Sequence, residues 1–158
     1  MPQPTAYIET TIIGHLVGKI QIAPIVAGRQ TMTRIWWLLA DKKYRLFVSQ
    51  VVTDECASGD PDAAAERLGV LATLEFVATT PPVDDLARQL IEKFAVPKTE
   101  PRDAVHISLA AVHGLEYLVS WNFKHIVNPT TRSTIERVCR NAGYEPPMIC
   151  TPDELMES

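Results

Sequence analysis

The chain has 158 residues, of which 46% are hydrophobic and 22% charged, and its formal net charge at pH 7 is −4. A chain of this length and composition is typical of one globular domain with a buried core, so we expect a single domain over residues 1–158. The negative net charge argues against a protein that coats nucleic acid without specificity, although a nuclease stays possible because metal sites are built from carboxylates.

Cysteine usage and hydropathy predict the cellular setting. Three cysteines occur without a CxxC motif, at Cys56, Cys139 and Cys150. An odd number without metal-site spacing is typical of reduced, partly buried thiols in a cytosolic protein. The sequence shows no charged leader followed by an apolar run, and no apolar stretch long enough to span a bilayer. We therefore expect a cytoplasmic protein.

Strands and helices alternate along the predicted chain. In order, the patterns predict a strand at 5–8, helices at 12–17 and 22–43, a strand at 46–48, helices at 50–58 and 62–74, a strand at 75–78, helices at 83–94 and 101–113, a strand at 117–120, a helix at 130–142, a strand at 148–150 and a helical turn from 151. This alternation indicates the α/β class, with a mainly parallel sheet covered by helices on both faces.

The long helix predicted at 22–43 takes its apolar positions from residues at helical spacing. They are Ile25, Val26, Met32, Ile35, Trp36, Leu38 and Leu39. Trp36 and Trp37 are neighbours and therefore point about 100° apart on a helix. We expect one ring in the core and the other at a partner contact or a groove, with a core or dimer contact favoured over base stacking.

Proline and serine mark several predicted element ends. Ser49 is a favourable N-cap for the helix that follows it. The Pro81-Pro82 pair is interpreted as a turn, after which Leu86, Leu90, Ile91 and Phe94 share one face of a helix.

The stretch 101–125 contains half of an α/β unit. Pro101 fits the first turn of a helix, Asp103 lies in that turn, and Gly114 is interpreted as a left-handed cap. The strand at 117–120 follows, and Asn122 comes just after its carboxyl end.

Four oxygen-bearing side chains fall at predicted strand ends or first helical turns: Glu9, Glu55, Asp103 and Asn122. In a parallel sheet these positions converge on the edge where open α/β sheets bind ligands. Three carboxylates in one cleft repel one another unless a cation lies between them, and oxygen ligands suit Mg²⁺ or Mn²⁺ rather than zinc. Such an ion can hold a phosphate and activate water, which favours phosphodiester hydrolysis. The sequence lacks a phosphate-binding glycine loop, a GxSxG elbow and zinc-type spacing.

Each of these residues also has a purely structural interpretation. Glu9 could cap the helix that follows it, and Asp103 could serve only as a charge that suits the helix dipole. Asp54 could be the ligand in place of Glu55. Asn122 could hydrogen-bond the backbone of a turn.

Four segments resemble the signature segments of a PIN domain, most closely those of bacterial VapC-type toxins of type II toxin–antitoxin systems. They are YIETTII at 7–13, SQVVTDE at 49–55, RDAVHI at 102–107 and SWNFKH at 120–125. The resemblance covers essentially the whole chain, with the segments in the expected order. It implies a three-layer α/β/α domain, a Mg²⁺- or Mn²⁺-dependent endoribonuclease site, a homodimer and a cognate antitoxin that covers the site.

Carried over by residue, the resemblance makes Glu9, Glu55 and Asp103 the three acidic metal ligands of the catalytic site. Asn122 falls where many members of the family have a fourth acidic residue. Glu9 replaces the Asp of most members and so lengthens the side chain by one methylene. Asn122 removes a charge but keeps an oxygen ligand.

We therefore expect a metal-dependent endoribonuclease that is the toxin of a toxin–antitoxin pair. Lys98, Arg102 and Lys124 are expected near the mouth of the site, where they could hold the RNA backbone. His106 shares a helix face with Asp103 and is interpreted as a satisfied, partly buried histidine rather than a ligand. The alternatives are a catalytically attenuated PIN-like domain that binds protein or RNA, and a hydrolase of small phosphate esters.

Overall fold

Five parallel strands form one sheet in the computed structural model, which describes residues 2–156. The strands are β1 (Thr5–Ile8), β2 (Arg45–Val48), β3 (Glu75–Phe76), β4 (Tyr117–Val119) and β5 (Met148–Cys150). Their order across the sheet is β3-β2-β1-β4-β5, and every neighbouring pair is parallel. The predicted α/β class with a parallel sheet is confirmed.

Helices connect the strands. Within residues 2–156 they are α1 (Thr10–Leu16), α2 (Pro24–Lys43), α3 (Gln50–Cys56), α4 (Pro61–Leu71), α5 (Pro81–Glu92), α6 (Pro101–Val112), α7 (Pro129–Asn141) and a short 3₁₀ turn at Pro152–Leu155. Across this described part of the chain, no helix combines the length and the apolar character needed to cross a membrane.

The helices fall into two groups that sandwich the sheet. Helix α1 packs against α2, α3 and α4, whereas α5 packs against α6 and α7. The chain runs outward from β1 to β3 and then returns to β4 and β5 on the other side of β1. Because parallel crossovers are right-handed, this reversal places the two groups on opposite faces, which gives three layers.

The centre of the core is β1 together with α6. Ala6, Tyr7 and Ile8 of β1 are fully buried, as expected of a strand covered on both faces. Helix α6 is buried almost all around, from Ala104 to Ala111. These two elements also carry residues of the candidate site into the middle of the fold.

Helix α5 begins and ends earlier than the sequence pattern predicts. Pro81 and Pro82 occupy its first turn instead of a separate turn, because proline's missing N–H would be unpaired there in any case. The helix ends at Glu92, and Phe94 lies beyond it in a left-handed conformation with φ of 63°. The placement of Phe94 on the buried face is therefore wrong, since its side chain is 89% exposed.

Helix α2 turns much of its apolar side away from the core. Its buried residues are Gln30, Thr33, Trp36 and Ala40, while Trp37 packs partly against the core. The exposed positions, which we call the α2 apolar face, are Ile25 (70%), Met32 (39%), Ile35 (46%), Leu38 (72%) and Leu39 (65%). Polar Thr33 can lie inward because its hydroxyl donates to the Arg29 carbonyl and accepts from Trp121 Nε1, each at 2.7–2.8 Å.

Candidate active site

The four side chains predicted from the sequence line one cavity of about 600 Å³ at the carboxyl edge of the sheet. Glu9 directly follows β1, and Asn122 follows β4, its neighbour in the sheet. Glu55 is carried by α3, which begins just after β2, and Asp103 lies in the first turn of α6. The fold thus brings together residues from four separate segments.

Glu9 is 3% exposed and connects the ends of β1 and β4. Its Oε1 accepts hydrogen bonds from the Thr11 backbone N–H and hydroxyl and, at 2.7 Å, from the Ser120 hydroxyl. Ser120 Oγ in turn accepts from Asn122 N, and Thr11 Oγ1 accepts from Trp121 N. Glu9 is therefore also the N-cap of α1, as its structural interpretation proposes.

Glu55 is held by α1 and α6. Its Oε1 accepts from Thr10 Oγ1 at 2.8 Å and from His106 Nε2 at 2.6 Å. Burial raises the pKa of Glu55, whereas the hydrogen bond and charge of His106 lower it. The Thr10 hydroxyl and the charge of Arg102 lower this pKa further, so that it lies below its usual value. Glu55 is therefore ionised at neutral pH.

His106 is fully buried and belongs to a chain of hydrogen bonds under the cavity. A carboxylate only accepts, so Nε2 carries the proton that is donated to Glu55. His106 Nδ1 lies 2.7 Å from the Tyr7 hydroxyl, which lies 2.8 Å from Ser49 Oγ. Both ring nitrogens thus have partners. Burial raises the pKa of Tyr7, which keeps its hydroxyl protonated.

Asp103 and Asn122 are connected through His125. Asp103 is 8% exposed, and its Oδ2 lies 2.9 Å from His125 Nδ1. Asn122 Oδ1 accepts from the His125 backbone N–H at 3.1 Å, which is the turn contact that its structural interpretation proposes. An amide oxygen has a second lone pair, so this contact leaves Asn122 able to accept another partner.

Each of the three carboxylates has one oxygen held by the protein and one without a hydrogen bond from residues 2–156. The oxygens without a partner in that range are Glu9 Oε2, Glu55 Oε2 and Asp103 Oδ1. Carboxylate oxygens of this kind are the ligands that hard divalent cations such as Mg²⁺ prefer. In the same range, however, no three acidic, histidine or cysteine side chains form a group arranged to hold a metal ion. Metal binding at this cavity stays a prediction.

Positively charged side chains lie in and near the acidic cavity. Lys19 and Arg67 line it, and Arg67 is fixed by hydrogen bonds to the carbonyls of Cys56 (3.0 Å) and Ser58 (2.7 Å). Arg102 is exposed and acts on Glu55 through its charge. The other predicted RNA contacts, at Lys98 and Lys124, line a separate cavity of about 630 Å³.

Asp54, the alternative to Glu55 as a metal ligand, is exposed and accepts a hydrogen bond from Gln50 Nε2 on its own helix.

Sequence reasoning missed the residues that orient the carboxylates. Thr10, Thr11 and Ser120 donate to the carboxylates directly, and Tyr7 with Ser49 holds His106, which donates to Glu55. Ser49 occupies the predicted N-cap position of α3, but its hydroxyl contacts Tyr7 and makes no cap hydrogen bond. A usable signal was present, because a buried tyrosine or histidine in an apolar element must find a polar partner.

Comparisons with known proteins find a similarity in structure but none in sequence. No family model matches the chain, and no curated protein matches it in sequence. Among solved structures, it is similar to a chain of VapBC2 from Rickettsia felis, crystallised with a DNA fragment from the VapBC2 promoter. The two chains share 18% sequence identity with a TM-score of 0.54, over 76% of this chain and 89% of the other. This similarity shows that the two chains share a three-layer α/β/α fold.

Proposed function

We propose that this protein is a divalent-metal-dependent endoribonuclease and the toxin of a toxin–antitoxin pair. The observation that carries the proposal is the arrangement of Glu9, Glu55 and Asp103. Each comes from a different segment, each lines the same cavity, and each keeps one oxygen without a hydrogen bond from residues 2–156. The VapC-like fold supports the same conclusion.

In this function, Glu9, Glu55 and Asp103 hold Mg²⁺ or Mn²⁺, and Asn122 completes the set of oxygen ligands. The bound ion supplies activation of water and compensation of the charge on the scissile phosphate. His106 and Thr10 hold Glu55, and Ser120 holds Glu9, so that neither carboxylate has to reorient when RNA arrives. Lys19 and Arg67 contribute positive charge for the phosphates next to the cleaved bond.

We also propose two protein partners. The first is a second copy of the chain, which covers the exposed leucines and isoleucines of the α2 apolar face. The second is a cognate antitoxin, since the similar R. felis chain comes from a VapBC2 structure. The cytoplasm is the compartment that fits this function.

The second candidate function is a catalytically attenuated PIN-like domain that binds RNA or protein. Two observations favour it. Asn122 takes the position of a fourth carboxylate, and within residues 2–156 no three acidic, histidine or cysteine side chains are arranged to hold a metal ion.

Cleavage of a structured RNA by the purified protein tests the first proposal, with Mg²⁺, with Mn²⁺ and with a chelator. We expect metal-dependent cleavage that falls more than about 100-fold in Asp103→Ala, because loss of a direct ligand exceeds the usual effect of losing its supporting contacts. Asp54→Ala is the matched control, since Asp54 is an exposed carboxylate on α3 that accepts a hydrogen bond from Gln50 of its own helix.

Equal cleavage by the wild type and Asp103→Ala would contradict the proposed site. Absence of cleavage by a folded wild type, with RNA binding retained, would favour the attenuated binding domain.

A further inference from the structure

Phe94 has a backbone conformation that its residue type disfavours. It is the single non-glycine residue with positive φ in the described range 2–156, at 63°. Just past the end of α5, Ala95 N donates to the Leu90 carbonyl at 2.9 Å and Phe94 N to the Ile91 carbonyl at 3.1 Å. Glycine is the usual residue at this position of a helix end, because a side chain is strained there.

Packing does not account for the phenylalanine. Its side chain is 89% exposed, so burial of the ring does not offset the strain. The neighbouring Ala95 and Val96 are 2% and 1% exposed and fix the turn to the core. The anchored backbone fixes where the Cα of Phe94 lies, and the aromatic ring projects from that point on the surface. A feature that costs stability and gains no packing indicates a role in binding.

The ring lines the cavity of about 630 Å³ that also contains Lys98, Lys124 and His125. Within residues 2–156, neither lysine ammonium group makes a hydrogen bond or an ion pair. The one acidic residue of the lining, Glu92, lies 3.9 Å from Arg88 Nε. The cavity therefore has an apolar aromatic wall and a net positive charge.

This cavity adjoins the candidate active site through one pair of side chains. His125, which lines the Phe94 cavity, contacts Asp103, which lines the acidic cavity, with 2.9 Å between Nδ1 and Oδ2. A polymer whose scissile phosphate lies at Asp103 would extend across His125 into the second cavity.

We propose that the Phe94 cavity binds a nucleotide of single-stranded RNA that flanks the cleaved bond, with its base stacked on Phe94 and its phosphates near Lys98 and Lys124. The inference rests on the proposed ribonuclease function. An exposed aromatic ring beside unpaired lysines is the combination that binds single strands, because every base has a stacking face and every linkage a negative charge. A duplex offers no free base face, so the site selects unpaired RNA.

The substitution Phe94→Gly separates binding from folding. Glycine relieves the strained backbone, so we expect a urea midpoint equal to or above that of the wild type. We expect the affinity for a fluorescein-labelled single-stranded RNA of about 12 nucleotides to fall between about 5-fold and 150-fold. Fluorescence anisotropy measures this in the Asp103→Asn background, which keeps the oxygen that contacts His125 and limits cleavage.

Two further variants serve as controls. Phe94→Trp keeps a stacking ring and is expected to retain binding within a few-fold of the wild type. Phe76→Ala removes an exposed phenylalanine, 52% accessible, from strand β3 at the opposite edge of the sheet from β5, and is expected to leave binding unchanged.

Equal affinity of Phe94→Gly and the parent for the single strand would overturn the proposal, as would equal affinity of the parent for single-stranded and duplex RNA. Loss of self-association in Phe94→Gly with RNA binding intact would assign the ring to a protein interface and also overturn it. Cleavage by the wild type is measured separately, so a failure of the nuclease function is distinguishable from a failure of this subsite.

Discussion

At the scale of single residues, the candidate site is defined by which carboxylate oxygen the protein holds. Glu55 is held by His106, Asp103 by His125 and Glu9 by Ser120, each through one oxygen. The positions of the acidic residues could be predicted from strand ends and helix starts. Their orientation could not, because it depends on side chains from other elements that meet only in the folded chain.

His106 is therefore a positioning residue for Glu55. We expect His106→Leu to lower kcat of RNA cleavage about 10- to 100-fold, since it removes the donor that fixes Glu55 Oε1. KM is expected to change little, because His106 is fully buried and does not reach RNA. Steady-state cleavage at saturating Mg²⁺ measures both constants.

His106→Gln is the matched variant, since its amide N–H can still donate to Glu55. We expect it to recover part of the lost kcat. Equal kcat values for the Leu and Gln variants, with equal urea midpoints, would show that the contact with Glu55 has no catalytic effect.

At the scale of elements, the sequence predicts most helices and strands correctly. It also predicts the buried face of α5 apart from Phe94, but not that of α2. Helix α6 and strand β4 match the predicted unit closely, because Pro101 begins the helix and Gly114, with φ of 67°, follows its end. Helix α2 shows that the periodicity of apolar residues does not always predict which face of a helix is buried. A stripe of apolar residues along a helix has the same periodicity whether it contacts the core or a partner protein. In α2, the residues that face the core include the polar Gln30 and Thr33.

The α2 apolar face predicts self-association. Leu38 and Leu39 are 72% and 65% exposed, so replacing both with glutamate costs little packing within one chain. We expect Leu38→Glu with Leu39→Glu to weaken the dimer at least about 30-fold, as charge is buried where apolar contacts were. Light scattering after gel filtration, over a dilution series, measures the change.

Met148→Glu is the control, because Met148 is similarly exposed, at 64%, but lies on strand β5. A monomeric wild type, or a double variant that stays dimeric, would contradict the prediction.

At the scale of the whole molecule, the core on both faces of the sheet protects every thiol. Burial raises the pKa of Cys56 and Cys139 to about 11 and that of Cys150 to about 12, from an ordinary value of 9.0. The sequence predicts reduced, partly buried cysteines, and all three are buried free thiols in the structure. Composition alone could not rank their burial, since that depends on how β5, α3 and α7 pack.

These shifts predict a loss of stability at alkaline pH. Between pH 9 and 11 the unfolded chain ionises its cysteines while the folded chain keeps them protonated. Their contribution to stability is therefore complete below pH 9 and falls as the pH rises. We expect urea midpoints to decline from pH 9 to pH 11, and a thiol reagent at pH 8 to react only after denaturation.

Cys139→Val is the control, because it removes one buried thiol while keeping an apolar side chain. It should show a shallower decline. A native protein that reacts rapidly with the thiol reagent at pH 8 would contradict the prediction.

The sheet order also sets when the site can exist during synthesis. Strand β1 is made first, yet it pairs with β4, and Ser120 lies 111 residues beyond the Glu9 that it holds. A ribosome must therefore release residues through Asn122 before the cavity can form, since Asn122 follows β4 and lines the cavity with Glu9. Incomplete chains lack the assembled site. Any chemistry that this cavity performs therefore begins only after Asn122 has left the ribosome.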